Sequence, residues 1–213
     1  MATTAAIKKA TRGGGTGVRV DDRQGQLLEI ACRLFARQGY KGTSLRDIAE
    51  EAQITKAALY YHFPNKEALY QQIVLESTKA LVEAVREAVA QAQTPVEKVR
   101  AFMLTSAEVF ERTRDAWVAG SNAFWDEGGS GPRSVAVSQR DEYEKLLRSC
   151  IAEGIRSGDF RPVEPAIAGR LLLSTINQLS RWHSPKGPLS PRQVIEQYLD
   201  VVLSGLRTPT PAR

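Results

Sequence analysis

Two groups of side chains carry the chemistry this sequence offers. The first is Lys56, Tyr60, Tyr61 and His62. If the segment is helical, Lys56 and Tyr60 stand one turn apart on the same face. An ammonium, two phenols and an imidazole so placed can meet phosphate oxygens or the edges of bases. No nucleophile or carboxylate partner lies near His62 in the sequence, so a contact suits it better than acid–base catalysis. The second group lies further on. Trp117, Ser121, Phe124 and Trp125 recur at i, i+4, i+7 and i+8, and Arg170, Ser174, Asn177 and Arg181 at i, i+4, i+7 and i+11. The aromatic row is either core packing or, mixed with Ser121 and Asn122, the lining of a pocket. The polar row is either a solvated face or a seam for an anionic ligand or another subunit, since guanidinium groups pair well with phosphate and carboxylate.

What is missing bounds the function further. There are two histidines, no phosphate loop, no metal-ligand spacing and no nucleophile elbow. We expect no catalytic residues, no bound metal and no cofactor, so an enzyme is disfavoured. No stretch without Asp, Glu, Lys or Arg exceeds ten residues, as in 171–180. A spanning helix needs roughly 20 apolar residues, so no membrane is expected as a partner. Lys8, Lys9 and Arg12 lead into glycines rather than into the apolar run of a secretory signal. The two cysteines, Cys32 and Cys150, are too scattered for a disulfide framework. The cytoplasm is the expected compartment.

The chain has 213 residues, 42% of them hydrophobic and 25% charged, enough for one or two compact domains with real cores. Its formal charge of +5 is unevenly placed: residues 1–64 hold ten Lys and Arg against six Asp and Glu, and the remainder nineteen against eighteen. A basic first third is a candidate for contact with phosphates.

The elements that would position these side chains are helices throughout. Residues 1–22, rich in Thr, Ala, Gly and basic residues, read as a flexible arm. It either reaches into a minor groove or has no site of its own. A helix is predicted from residue 23 to Gly39, where a left-handed cap is easily made. Ser44 with Asp47 resembles a capping box and opens a short helix, 45–52. The break at 53–55 precedes a second short helix, 56–63, capped by Thr55 and stopped by Pro64. Asn65 then caps a long helix, 66–91. Thr94-Pro95-Val96-Glu97 is a strong start signal, repeated in kind by Ser190-Pro191-Arg192-Gln193. Further helices are predicted at 95–112, 115–127, 133–157, 163–183 and 191–205. The expected fold is all-α, about nine helices and no sheet. Residues 23–68 are expected to form a helix-turn-helix domain, 69–207 a second helical domain, and 208–213 a disordered tail.

Residues 45–63 have the form of a helix-turn-helix, whose second helix enters a major groove. Leu45, Ile48, Ala49 and Leu59 would brace the pair, with Ile54 plugging the turn. Leu59 and Phe63 read as core, and of the two tyrosines Tyr61 is expected to be the exposed one. At family level, Gly39-Tyr40 with Thr43-Ser44-Leu45-Arg46-Asp47-Ile48-Ala49, then Ile54-Thr55-Lys56 and Leu59-Tyr60-Tyr61-His62-Phe63-Pro64-Asn65-Lys66, resembles the TetR family of transcriptional regulators. The resemblance spans residues 27 to about 73. It implies that the helix at 56–62 reads DNA. Ser44 and Arg46 would touch the backbone, Thr55, Lys56 and Ala57 face the groove, Tyr60 and Tyr61 reach phosphate or a thymine methyl, and Lys66 hold a phosphate. It also implies that the later helices sense a ligand and dimerise.

The stretch from Arg181 to Leu189, with Tyr198-Leu199 beyond it, resembles TetR-type repressors of fatty-acid and steroid breakdown, several of which respond to acyl-CoA thioesters. His183 stands where tyrosine is more usual. With an acyl-CoA effector, Arg181 and Arg170 would face the phosphates and the surface from Trp117 to Trp125 the acyl part. Val194, Ile195, Tyr198, Val202 and Leu206 would join segment 163–183 in a four-helix interface across a two-fold axis. The function expected is a homodimeric repressor on a palindromic double-stranded DNA operator, released by a small-molecule effector, with an acyl-CoA as the candidate. The alternatives are a helical interaction module that has lost DNA binding, or an activator of the same fold.

Overall fold

The computed structural model describes residues 18–123 and 133–206. Most of the basic arm and the whole of the C-terminal tail lie outside them. Among the described residues there are nine helices: α1 (Val18–Gly42), α2 (Leu45–Glu51), α3 (Lys56–His62), α4 (Lys66–Gln91), α5 (Pro95–Arg112), α6 (Arg114–Ala123), α7 (Arg133–Ser157), α8 (Pro165–Trp182) and α9 (Pro191–Leu206). None of them is long and apolar enough to cross a membrane.

The local grammar explains most boundaries. Ser44 Oγ accepts from the Asp47 N–H at 3.2 Å, and the Asp47 carboxylate accepts from the Ser44 N–H at 2.8 Å. Those bonds hold the Asp47 carboxyl below its usual range. Thr94 and Glu97 close the same box at α5, with Glu97 lowered for the same reason. Asn65 Oδ1 accepts from the Ala68 N–H at 2.7 Å to start α4. The first helix differs from expectation. It begins at Val18, not after Asp22. Gly39 interrupts it at φ 75° and ψ 164°, a positive-φ break with extended ψ rather than a left-handed helical cap.

Among the described residues there are two cores. One gathers Leu27, Leu34, Phe35, Ile48, Leu59, Phe63, Leu69 and Ile73, and takes in Ala119 of α6. The other runs from Leu81 of α4 through α5, α7, α8 and α9. The expected division at 68/69 therefore falls inside α4, whose first two turns belong to the N-terminal core. Periodicity could not show this, because one helix serves both cores in a single unbroken pattern.

The turn after α7 is tightly built. The Phe160 N–H donates to the Gly154 carbonyl at 2.9 Å, and its ring is 2% exposed. A Cβ on Gly154 would come within 2.2 Å of that ring. Gly154→Ala is expected to destabilise by about 1–3 kcal/mol, lowering the melting temperature by several degrees in a thermal scan.

Candidate nucleic-acid interface and effector cavity

The α2–turn–α3 unit is held by Ile48 and Leu59, both fully buried, with Ile54 half-buried over the turn. Gln53 takes φ 52° there, a conformation that a non-glycine residue adopts at some cost. Thr55 Oγ1 caps α3 by accepting from the Ala58 N–H at 3.1 Å. With Leu59 inside, the outer face of α3 presents Lys56, Ala57, Tyr60 and Tyr61 to solvent. Tyr61 is 83% exposed and Tyr60 43%, so neither is core and Tyr61 is the freer ring. His62 is half-buried and meets Tyr61 edge-on, with centroids 5.4 Å apart. The Lys56 ammonium sits 5.5 Å from the Tyr60 ring centroid.

Beside α3 lies a hollow of about 410 Å³ lined by Lys41, Ser44, Arg46, Lys56, Tyr60 and Lys66 among others. Four cationic side chains around one shallow concavity suit a phosphate backbone. Arg46 pairs with Glu50 at 2.7 Å, but both are exposed, and such a pair opens at little cost. Lys41 was not evident from the sequence; it follows the break at Gly39 and lines the hollow.

Lys66 has another task. Its ammonium donates to the Tyr40 and Thr43 carbonyls at 2.7 and 2.8 Å and stands 4.2 Å from the Tyr40 ring centroid. Two of its three donors thus fasten the α1–α2 link to the start of α4. The lysine positions Ser44 and α2, and its spare donor is what it can offer a phosphate.

A second concavity, about 670 Å³, opens among α4, α5, α6, α7 and α8. Val74, Leu81, Val109, Trp117 and Leu173 give it apolar walls; Thr78, Thr113, Tyr143 and Asn177 are polar; Arg140, Arg170 and Arg181 outnumber the single carboxylate, Glu144. Of the residues singled out in sequence, Trp117, Asn177 and Arg181 come together here, with Arg170 and Ser174 of the same row. Trp117 also packs edge-on against Phe110, centroids 5.6 Å apart, so it serves core and cavity at once. Ser121 lies in α6 with its side chain outside the described residues, as are Phe124 and Trp125 entirely.

The α7 contribution had no sequence signal beyond a charged helix. Tyr143 is buried, its hydroxyl bonded to Ser106 Oγ at 2.7 Å, and burial raises its phenol above the usual value. The thiols are quiet: burial, with Asp115 nearby, pushes Cys32 up to about 11, and burial also raises Cys150. Both stay protonated near neutrality. Among the described residues no three His, Cys, Asp or Glu side chains are grouped to hold a metal.

Residues 27–73 match the family of bacterial regulatory proteins described as tetR, and residues 92–206 match the tetracycline repressor-like C-terminal domain. The chain belongs to the TetR family. The N-terminal TetR match ends at Ile73, the last residue of α4 buried in the first core. The HTH-type transcriptional repressor KstR2 of Mycobacterium tuberculosis is 32% identical over 193 residues, covering 88% of this chain and 94% of its own. The solved structure of this ketosteroid regulator superposes with a TM-score of 0.82 at 28% identity, over 92% of this chain and 99% of that one. PfmR, a TetR regulator from Thermus thermophilus, gives 0.79 at 36% identity, over 86% and 100%. AibR, solved with isovaleryl coenzyme A and operator DNA, gives 0.77 at 27%, over 84% and 97%.

Within this TetR fold the apolar face expected on the last helix is placed differently. Val194, Ile195 and Leu206 are buried in the chain's own body core, and Tyr198 and Val202 pack against it. On α8 and α9 the large apolar groups left exposed are Ile167, Leu171, Trp182 and Val201, between 52% and 74% exposed. Helical spacing gave the amphipathic stripe correctly, and within this chain its buried members cover α5.

Proposed function

We propose that this chain is a repressor that binds a palindromic operator as a homodimer and leaves it when a small anionic molecule, an acyl-CoA, fills the cavity of α4 to α8. The observation that carries this reading is the position of α6. Its Trp117 lines the cavity while its Ala119 is buried in the core that seats α3. A ligand releases DNA only by binding better to a state whose readers are misspaced, and a helix shared by cavity and reader is a physical means to that end.

In this reading Thr55, Lys56 and Ala57 face the major groove, and Tyr60, Tyr61 and His62 flank it. Ser44, Arg46 and Lys41 meet the phosphates. Arg140, Arg170 and Arg181 take the phosphates of the effector, with Trp117 against its acyl part and Asn177 between. Ile167, Leu171 and Val201 meet their counterparts on a second copy, which brings two readers to half-sites about 34 Å apart. The cytoplasm, beside the nucleoid, is where such a protein works.

Selection of a duplex from a randomised pool, followed by titration, tests the proposal. Retention should fall steeply as salt rises, because each phosphate contact releases counterions. Isovaleryl-CoA should weaken retention while free coenzyme A does less. Failure to select any duplex at low salt would return the chain to the class of interaction modules. Tighter retention with the thioester would make it a co-repressor system, and indifference to it would remove the acyl-CoA.

A further inference from the structure

The helix shared by cavity and reader has to be held at its other end. Toward the reader, the Ala119 carbonyl accepts from the Tyr70 hydroxyl at 2.5 Å. At its start, α6 is separated from α5 only by Thr113, whose φ −123° and ψ 35° end the earlier helix. Arg114, the first residue of α6, is half-buried, and its guanidinium points across the body to the end of α8. There it donates to the His183 carbonyl at 2.6 Å and faces His183 Nδ1 at 3.4 Å. The same guanidinium lies 5.2 Å from the Phe110 ring centroid.

His183 is itself immobilised. It is the C-cap of α8, its N–H donating to the Leu179 carbonyl at 3.0 Å, and it is only 7% exposed. Its Nε2 lies 2.8 Å from the Leu189 carbonyl, which sets that nitrogen as the donor and Nδ1 as the acceptor toward Arg114. Two residues before it, Arg181 lines the cavity, as does Asn177 one turn earlier still. Motion at the cavity end of α8 therefore arrives at a rigid residue gripped by α6.

We infer that Arg114 is a positioning residue: its grip on His183 ties the ligand-bearing end of α8 to α6, and occupancy of the cavity reaches the reader through this pair. The inference rests on the cavity being the effector site, and it assigns the coupling to a contact that touches neither ligand nor DNA. A guanidinium suits the place because its planar fork reaches carbonyl and imidazole together while lying on a ring, which an ammonium does not do.

The test needs no knowledge of the natural effector. Asn177→Cys, labelled at neutral pH with pyrene maleimide, fills the cavity with a defined group, while Cys32, held near 11, stays protonated and slow to react. Operator affinity of the full chain is then compared with and without label, on the duplex selected as above. In the intact background the label should change affinity tenfold or more. In Arg114→Ala, and in Arg114→Lys, which keeps the cation if the alanine variant folds poorly, the change should be under twofold. A merely structural arginine would lower the melting temperature and leave the ratio alone. Equal ratios in all backgrounds overturn the latch while keeping the cavity reading; a label without effect in the intact background overturns both.

Discussion

Alanine at Lys56 or at Tyr61 is expected to weaken operator binding by roughly 10- to 100-fold, the 1–3 kcal/mol usual for a side chain that meets a base edge or phosphate. The melting temperature should stay within about 2 °C, as for other exposed substitutions. Tyr61 is 83% exposed and touches mainly the neighbouring imidazole, so its removal leaves no hole. Lys56 is exposed and engages only the Tyr60 ring among the contacts described. The two losses differ in kind. Without Lys56 the salt slope should fall by about one, because one fewer counterion is released. Without Tyr61 the slope should hold while affinity falls. Filter binding across a salt series, with thermal scans on the same samples, checks both. Unchanged retention in both variants would mean that α3 does not face DNA.

Lys66→Met is expected to have the opposite profile. The substitution leaves the Tyr40 and Thr43 carbonyls without their shared donor in a partly buried link. Each such loss costs about 1–3 kcal/mol, so a drop of roughly 2–6 kcal/mol is expected, or about 4–24 °C for a chain of this size. Operator affinity should fall too, because the link carries Ser44 and the start of α2, while the salt slope stays nearly constant. If Lys66 acted mainly on a phosphate, as family resemblance implies, the melting temperature would be unmoved and the slope would drop by about one. Calorimetry beside the salt series separates these outcomes.

The contrast between these two lysines shows where sequence reasoning succeeds. Lys56 is one residue after an N-cap and one turn from Tyr60, so its exposure follows from helical period and from Leu59 needing the inside. The helix starts at Ser44, Thr55, Asn65 and Thr94 were legible for the same reason: a cap bonds the backbone within three residues, and that information is local. The destination of Lys66 was not legible, because its acceptors lie 23 and 26 residues away in the chain. The same limit hid Lys41 and Tyr143 and moved the domain division into α4. It also turned Val194 and Ile195 inward, since an apolar stripe specifies that it will be covered and leaves open by what.

Local bonding and periodicity, then, determined from sequence alone that the chain is helical, that residues 45–63 make a helix-turn-helix, and which face of α3 meets solvent. Tertiary packing decided that α6 serves the cavity and the reader together, that three arginines from α7 and α8 share one rim, and that Arg114 reaches His183. Those outcomes depend on contacts between groups far apart in the chain, 69 residues for Arg114 and His183, and only the three-dimensional arrangement of the helices brings such groups within bonding distance.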